Sequence, residues 1–192
     1  MKKTLLVLMM LLASAVLLAD AELITTGFSG GYSSRYGLGS MGANCSYQYL
    51  ADVGPNANVG FTSNFDICLN FGTNQVPVGI GAFLGVGAEF RLSQRSCILL
   101  GAGPAAYIEA GKTYAFTGFG PAGSLAFTYY FDSDSSFGIT FGANVYGQLL
   151  TYDRDEIRQP MAVYANGFAG FTFRLEDMYS PSLPLSTALL LY

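Results

Sequence analysis

Between residues 57 and 71 the chain reads ANVGFTSNFDICLNF, and every second side chain is of one kind. Val59, Phe61, Ser63, Phe65, Ile67, Leu69 and Phe71 share one parity, and Asn58, Gly60, Thr62, Asn64, Asp66, Cys68 and Asn70 share the other. A strand sends successive side chains to opposite faces, so the stretch predicts one strand with an apolar and a polar side. Fifteen extended residues reach roughly 50 Å, more than a soluble strand usually needs. A tilted strand crossing a bilayer needs about 9–11 residues, with apolar groups toward lipid and polar groups toward a lumen.

The same alternation recurs at 24–34, 40–50, 78–92, 97–109, 114–131, 137–151 and 161–175. Gly54-Pro55-Asn56 marks a turn, and 93–96 and 132–136 are short polar turns. The longest and most charged connection is 152–160. Pro104 interrupts the fifth strand; it lacks a ladder donor, so a bulge or kink is expected there. The expected fold is all-β: an eight-stranded antiparallel up-and-down transmembrane β-barrel with short loops. An even strand count lets the last strand close on the first and removes the exposed edges.

The composition of the polar face decides between membrane and water. A soluble lipocalin-type barrel has the same period but needs a charged outer wall. Here the polar parity is Gly, Ala, Ser, Thr and Asn, and charged residues are only 11% of the chain. Tyr47, Tyr49, Phe90, Phe127, Tyr129, Phe131, Phe171 and Phe173 cluster near strand ends on the apolar parity, as an interfacial girdle would. After residue 21 there is no continuous apolar run of about 20 residues, so no spanning helix is expected.

The first 21 residues read as a secretory signal: Lys2 and Lys3, an apolar run from Leu5 to Leu18, then the small-x-small site Ala19-Asp20-Ala21. The barrel then occupies 22–175, and 176–192 is a tail of open structure. Loss of Lys2, Lys3 and Asp20 leaves seven basic and twelve acidic residues, a net charge of −5. That balance argues against a nucleic-acid partner, which needs a basic footprint.

Candidate chemistry is sparse. The chain has no His, so a His-activated Ser is excluded. No catalytic residue, cofactor or metal site is expected: there is no CxxC, and the Gly-rich GVGAEF and GAGPAA are inward small residues rather than phosphate loops. Cys45 reads as lipid-facing, Cys68 as lumen-facing and Cys97 as near a turn, so no disulfide is expected.

Asp66, Glu89, Arg91, Glu109 and Arg174 have inward parity and form a candidate lumen charge network, where charges should pair. Phe83, Tyr107, Tyr130, Tyr146 and Phe168, with Arg91 and Arg174, are expected to fill the lumen against a Gly and Ala wall on strands four to six. Asp153, Arg154, Asp155, Glu156 and Arg158 form a candidate surface loop, with a plain solvated loop as the simpler use.

With signal, strands and Gly170-Phe171-Thr172-Phe173-Arg174-Leu175 in place, the chain resembles the small eight-stranded outer-membrane proteins, the OmpA transmembrane domain, OmpX and OmpW types. More faintly it is similar to uncharacterised small barrels of spirochaetes. The final Gly with alternating apolar residues resembles the family's assembly signal, although 176–192 follows it here. The resemblance implies a site in the outer membrane of a diderm bacterium, with outer-membrane lipid and the barrel-assembly machinery as partners. It implies a non-enzymatic structural or surface-interaction role, with a host or surface partner for the loops. The alternative is a narrow conduit for ions or small apolar ligands. An OmpW-like conduit implies an apolar upper lumen with a lateral opening, for which Phe83, Tyr107 and Leu150 are the candidates.

Overall fold

The computed structural model describes residues 21–34, 38–71, 77–111, 115–131, 136–153, 156–158 and 161–176. The expected signal segment before Ala21 and the tail after Glu176 lie outside them. Ten strand segments build the fold: β1 Ala21–Ser33, β2 Leu38–Gly54, β3 Ala57–Phe71, β4 Val78–Ser93 and β5 Ser96–Ala110 form the first five. β6 Ala115–Tyr130, β7 Phe137–Gln148, β8 Leu150–Asp153, β9 Glu156–Arg158 and β10 Ala162–Glu176 follow. Consecutive strands pair antiparallel from β1 to β7, β7 pairs with β10, and β10 pairs with β1. β8 continues β7 along β6, so the ring has eight positions and is a closed barrel.

The two parities separate as the alternation requires. Phe28, Met41, Leu84, Val86, Leu125 and Phe141 are exposed on the outer wall, Phe28 at 85%. Asn44, Asp66, Asn70, Glu89, Thr128, Asn144 and Thr172 are buried inside. A fold with its charges inside and its phenylalanines outside is built for an apolar solvent. The expected girdle residues Phe90, Phe127, Tyr129, Phe131, Phe171 and Phe173 are exposed at one rim, the rim of the tight turns. Phe137 stacks between Phe171 and Phe173 there, at 5.5 and 5.0 Å between ring centroids.

The strands depart from the expected bounds in two instructive places. β2 runs on to Gly54, so the expected connection 51–56 shrinks to the turn at Pro55 and Asn56. The expected long loop 152–160 is partly strand: Thr151, Tyr152 and Asp153 of β8 pair with Arg158, Ile157 and Glu156 of β9. Backbone amides beyond the barrel wall are thus paired locally rather than left open.

Pro104 produces no bulge. Its pairing with β6 keeps register, and it lies directly opposite a second proline, Pro121. Toward β4 the register is also unchanged, but the ladder between Phe83↔Ala105 and Val86↔Ala102 has no pairs. The irregularity appears one strand further on. β6 pairs with β7 up to Ala122↔Tyr146 and resumes one residue out of step at Phe119↔Leu150. Pro121 has no N–H to offer, and the facing strand absorbs the break by bulging at Leu149. Leu149 then bonds through its N–H to the Phe119 carbonyl, 2.9 Å away. The step turns both Leu149 and Leu150 outward, with Thr151 inward.

Candidate functional site

The lumen is the only place where this chain concentrates chemistry, and it is filled in layers. Toward the tight-turn rim, Leu23, Leu50, Cys97, Leu99, Ala126, Tyr130 and Phe168 form an apolar cluster. Toward the opposite, loop rim, Cys68, Phe83, Tyr107, Phe116, Ala122, Tyr146 and Tyr164 form a second. Tyr107 stacks on Tyr164 with centroids 4.8 Å apart, and Tyr146 lies 5.9 Å from Tyr164. Facing glycines make room for the rings. A methyl at Gly79 would stand 2.7 Å from Cys68 Sγ and run into the Tyr107 hydroxyl. One at Gly142 would stand 2.7 Å from the Phe168 ring. Large rings against bare backbone give a close-packed interior with no through-going channel among the described residues.

The inward charges do not form a single network. Glu89, fully buried, is ion-paired to Arg174 Nη2, and its other oxygen accepts from Asn58 Nδ2 at 2.7 Å. Arg174 also lies over the Tyr130 ring, 5.5 Å from its centroid. This pair sits near the tight-turn rim. Arg91 departs from the expectation. Its side chain is 47% exposed, and its Nε stands 3.8 Å from Glu89 Oε2, so it rims the lumen rather than filling it. The cause is its position at the end of β4, where the register slips between Arg91 and Ser93.

Asp66 is buried at mid-height and receives only neutral donors. Asn44 Nδ2 donates to it at 2.8 Å, Asn144 Nδ2 at 3.2 Å, and the Tyr146 hydroxyl donates as well. Asn64 links the same groups, accepting from Asn44 at 3.1 Å and approaching Asn144 Oδ1 at 3.4 Å. Glu109, near the loop rim, accepts from Asn70 Nδ2 at 2.9 Å and lies 3.4 Å from the Tyr107 hydroxyl. These asparagines have inward parity in the sequence, but nothing singled them out. Their poor fit to strands was the available signal, because four at lumen positions need a reason to be there.

A third polar element was also missed. Thr25, Thr172, Thr140 and Thr128 form a chain of hydroxyls across four neighbouring strands, with Thr25 and Thr172 2.7 Å apart and Thr128 and Thr140 2.8 Å apart. Of the expected surface loop, Asp153 lies in β8, Glu156 and Arg158 lie in β9, and Arg154 and Asp155 fall outside the described residues.

The conduit candidates part company. Phe83 and Tyr107 are packed in the loop-side cluster, whereas Leu150 is 56% exposed on the outer wall, turned there by the bulge at Leu149. With Pro104, Phe119, Pro121 and Leu149 it lines an open apolar groove of about 540 Å³ on the lipid-facing side. All three cysteines are free thiols, Cys45 exposed and Cys68 and Cys97 buried.

This architecture, a closed ring of eight tilted strands with its polar side turned in, is that of the small outer-membrane β-barrels. Solved structures of that class superpose on it. Ail, the attachment invasion locus protein of Yersinia pestis, aligns with a TM-score of 0.54 at 13% identity, over 82% of this chain and 100% of Ail. OprG from Pseudomonas aeruginosa aligns at 0.55 and 10% identity, over 83% and 97%. Neisserial surface protein A aligns at 0.55 and 10% identity, over 81% and 96%. At these identities the likeness is one of fold. No family model and no curated protein matches the sequence.

Proposed function

We propose that the protein is a non-enzymatic barrel of the outer membrane of a diderm bacterium, acting as a structural element or through its exposed loop rim, with a closed lumen. The observation that carries this reading is the pair of aromatic and aliphatic layers that fill the lumen above and below its polar middle. Export by the Sec signal at 1–21, insertion by the barrel-assembly machinery and contact with outer-membrane lipid belong to the same reading. Activation of a serine by histidine is excluded by composition, since the chain has no His. An N-terminus on the periplasmic side places the β8–β9 hairpin, with Asp153, Glu156 and Arg158, outside the cell as the surface offered to a partner.

The test is permeability. The chain from Glu22 onward is refolded into liposomes, with the heat-dependent shift of the unboiled band as folding control. Folded protein that leaves small polar solutes trapped is the expected result. Leakage graded by solute size overturns the closed-lumen reading and makes the protein a small pore.

A further inference from the structure

The polar middle of the lumen has a charge that nothing around it balances. Asp66 is fully buried, and every group that hydrogen-bonds to it is neutral. The one buried arginine is committed to Glu89. A carboxylate in a water-poor interior is costly unless a counter-charge accompanies it.

Two further groups beside it are left open. Asn44 Oδ1 has no partner, because only its Nδ2 is used, toward Asp66 and Asn64. Asn166 is 3% exposed, and neither of its carboxamide atoms has a partner. It stands on β10 directly across from Asn144, which itself donates to Asp66. The Asn166 carboxamide is within electrostatic reach of the Asp66 carboxylate but outside hydrogen-bonding geometry. Along β10 it lies between Tyr164 of the loop-side layer and Phe168 of the turn-side layer, so bulk water reaches it from neither rim.

We propose that this centre binds one small monovalent cation, sodium in kind, held by the Asp66 carboxylate with the side-chain oxygens of Asn44 and Asn166. Acceptors exceed donors here, and a water would bring two donors but no charge. A cation takes the orphan oxygens and the charge together. One carboxylate among neutral amides matches a single positive charge, whereas a divalent ion would leave a net positive charge buried in the lumen. All-oxygen ligands select a hard ion over a soft one. The layers on both sides make the ion occluded, acquired as the barrel closes and exchanged slowly afterwards.

The test uses the refolded protein in liposomes, prepared in sodium chloride or in choline chloride at equal concentration. The readout is the temperature at which the unboiled band converts to the unfolded one. Ligand that binds only the folded state raises stability with concentration. The expected result is a higher midpoint in sodium, saturating as sodium is titrated in, with the rise abolished in Asp66→Asn and reduced in Asn166→Leu. Equal midpoints in sodium and choline overturn the proposal, and mean that a water or a proton completes the site. A sodium effect that survives in Asp66→Asn overturns it as well. Should Asp66→Asn fail to fold, Asn166→Leu decides alone: an undiminished sodium effect overturns the site and a diminished one supports it.

Discussion

Glu89 and Asp66 are both fully buried carboxylates in the same lumen, and the barrel treats them in opposite ways. Glu89, near the tight-turn rim, has an arginine from the last strand and an asparagine from the neighbouring one. Asp66, at mid-height, has a ring of amides and a phenol. The first arrangement fastens β4 to β10 across the barrel by opposite charge. The second spreads one charge over neutral dipoles from β2, β7 and the layer beside them. A charge pair is complete within the chain, and a dipole ring leaves room for something else. The lumen therefore has one end that is finished by its own residues and a centre that is not.

Breaking the pair should do the most damage. Arg174→Met leaves Glu89 buried without its cation, and removal of one partner of a buried pair costs about 3–5 kcal/mol. The midpoint of the heat-dependent gel shift in liposomes is expected to fall accordingly. The double variant Glu89→Gln with Arg174→Met removes both charges and should recover much of that loss, since apolar or neutral replacements of whole pairs are often close to neutral. A double variant no better than Arg174→Met would mean that Arg174 acts by packing over Tyr130 rather than by charge.

The dipole ring should be individually weaker. Tyr146→Phe deletes the hydroxyl donor to Asp66 and is expected to cost about 1.5–3 kcal/mol, the range for a hydrogen bond to a charged group. A loss as large as that of Arg174→Met would erase the distinction between the two carboxylates. The threonine chain supplies the lower bound. Thr172→Val keeps the shape and removes a hydroxyl that bridges Thr25 and Thr140, for a loss of about 1 kcal/mol.

The alternation of side chains made the barrel legible, because period two over a dozen residues admits only a strand and eight such runs admit closure. It also placed Asp66, Glu89, Glu109 and Arg174 on the inner wall. Parity says which face a residue takes, not which residue it meets. Arg174 reaches Glu89 across 85 positions of sequence and Tyr146 reaches Asp66 across 80, and those distances are set by barrel register rather than by any local pattern. Parity also assumes an unbroken strand. It failed for Leu150, because Pro121 on the facing strand had already forced a one-residue step, and that step flips every side chain beyond it. Arg91 failed differently. Its parity is inward, but at a strand end there is no lumen left to point into. The β8–β9 hairpin was hidden by its charge, since Asp and Glu are poor strand formers and read as loop.

The pairing of β1 with β10 has a consequence for how the molecule is wired. Ala21 lies opposite Glu176, so the two ends of the described chain leave the wall side by side at the rim of the tight turns. In a ring of hairpins no strand is first by structure, only by translation. Joining those ends and opening the chain at Pro55–Asn56 would start synthesis with β3 and finish it with β2, while asking the same residues to meet the same neighbours. The order in which the strands are made is thus a property of the gene, and the order in which they stand is a property of the circle.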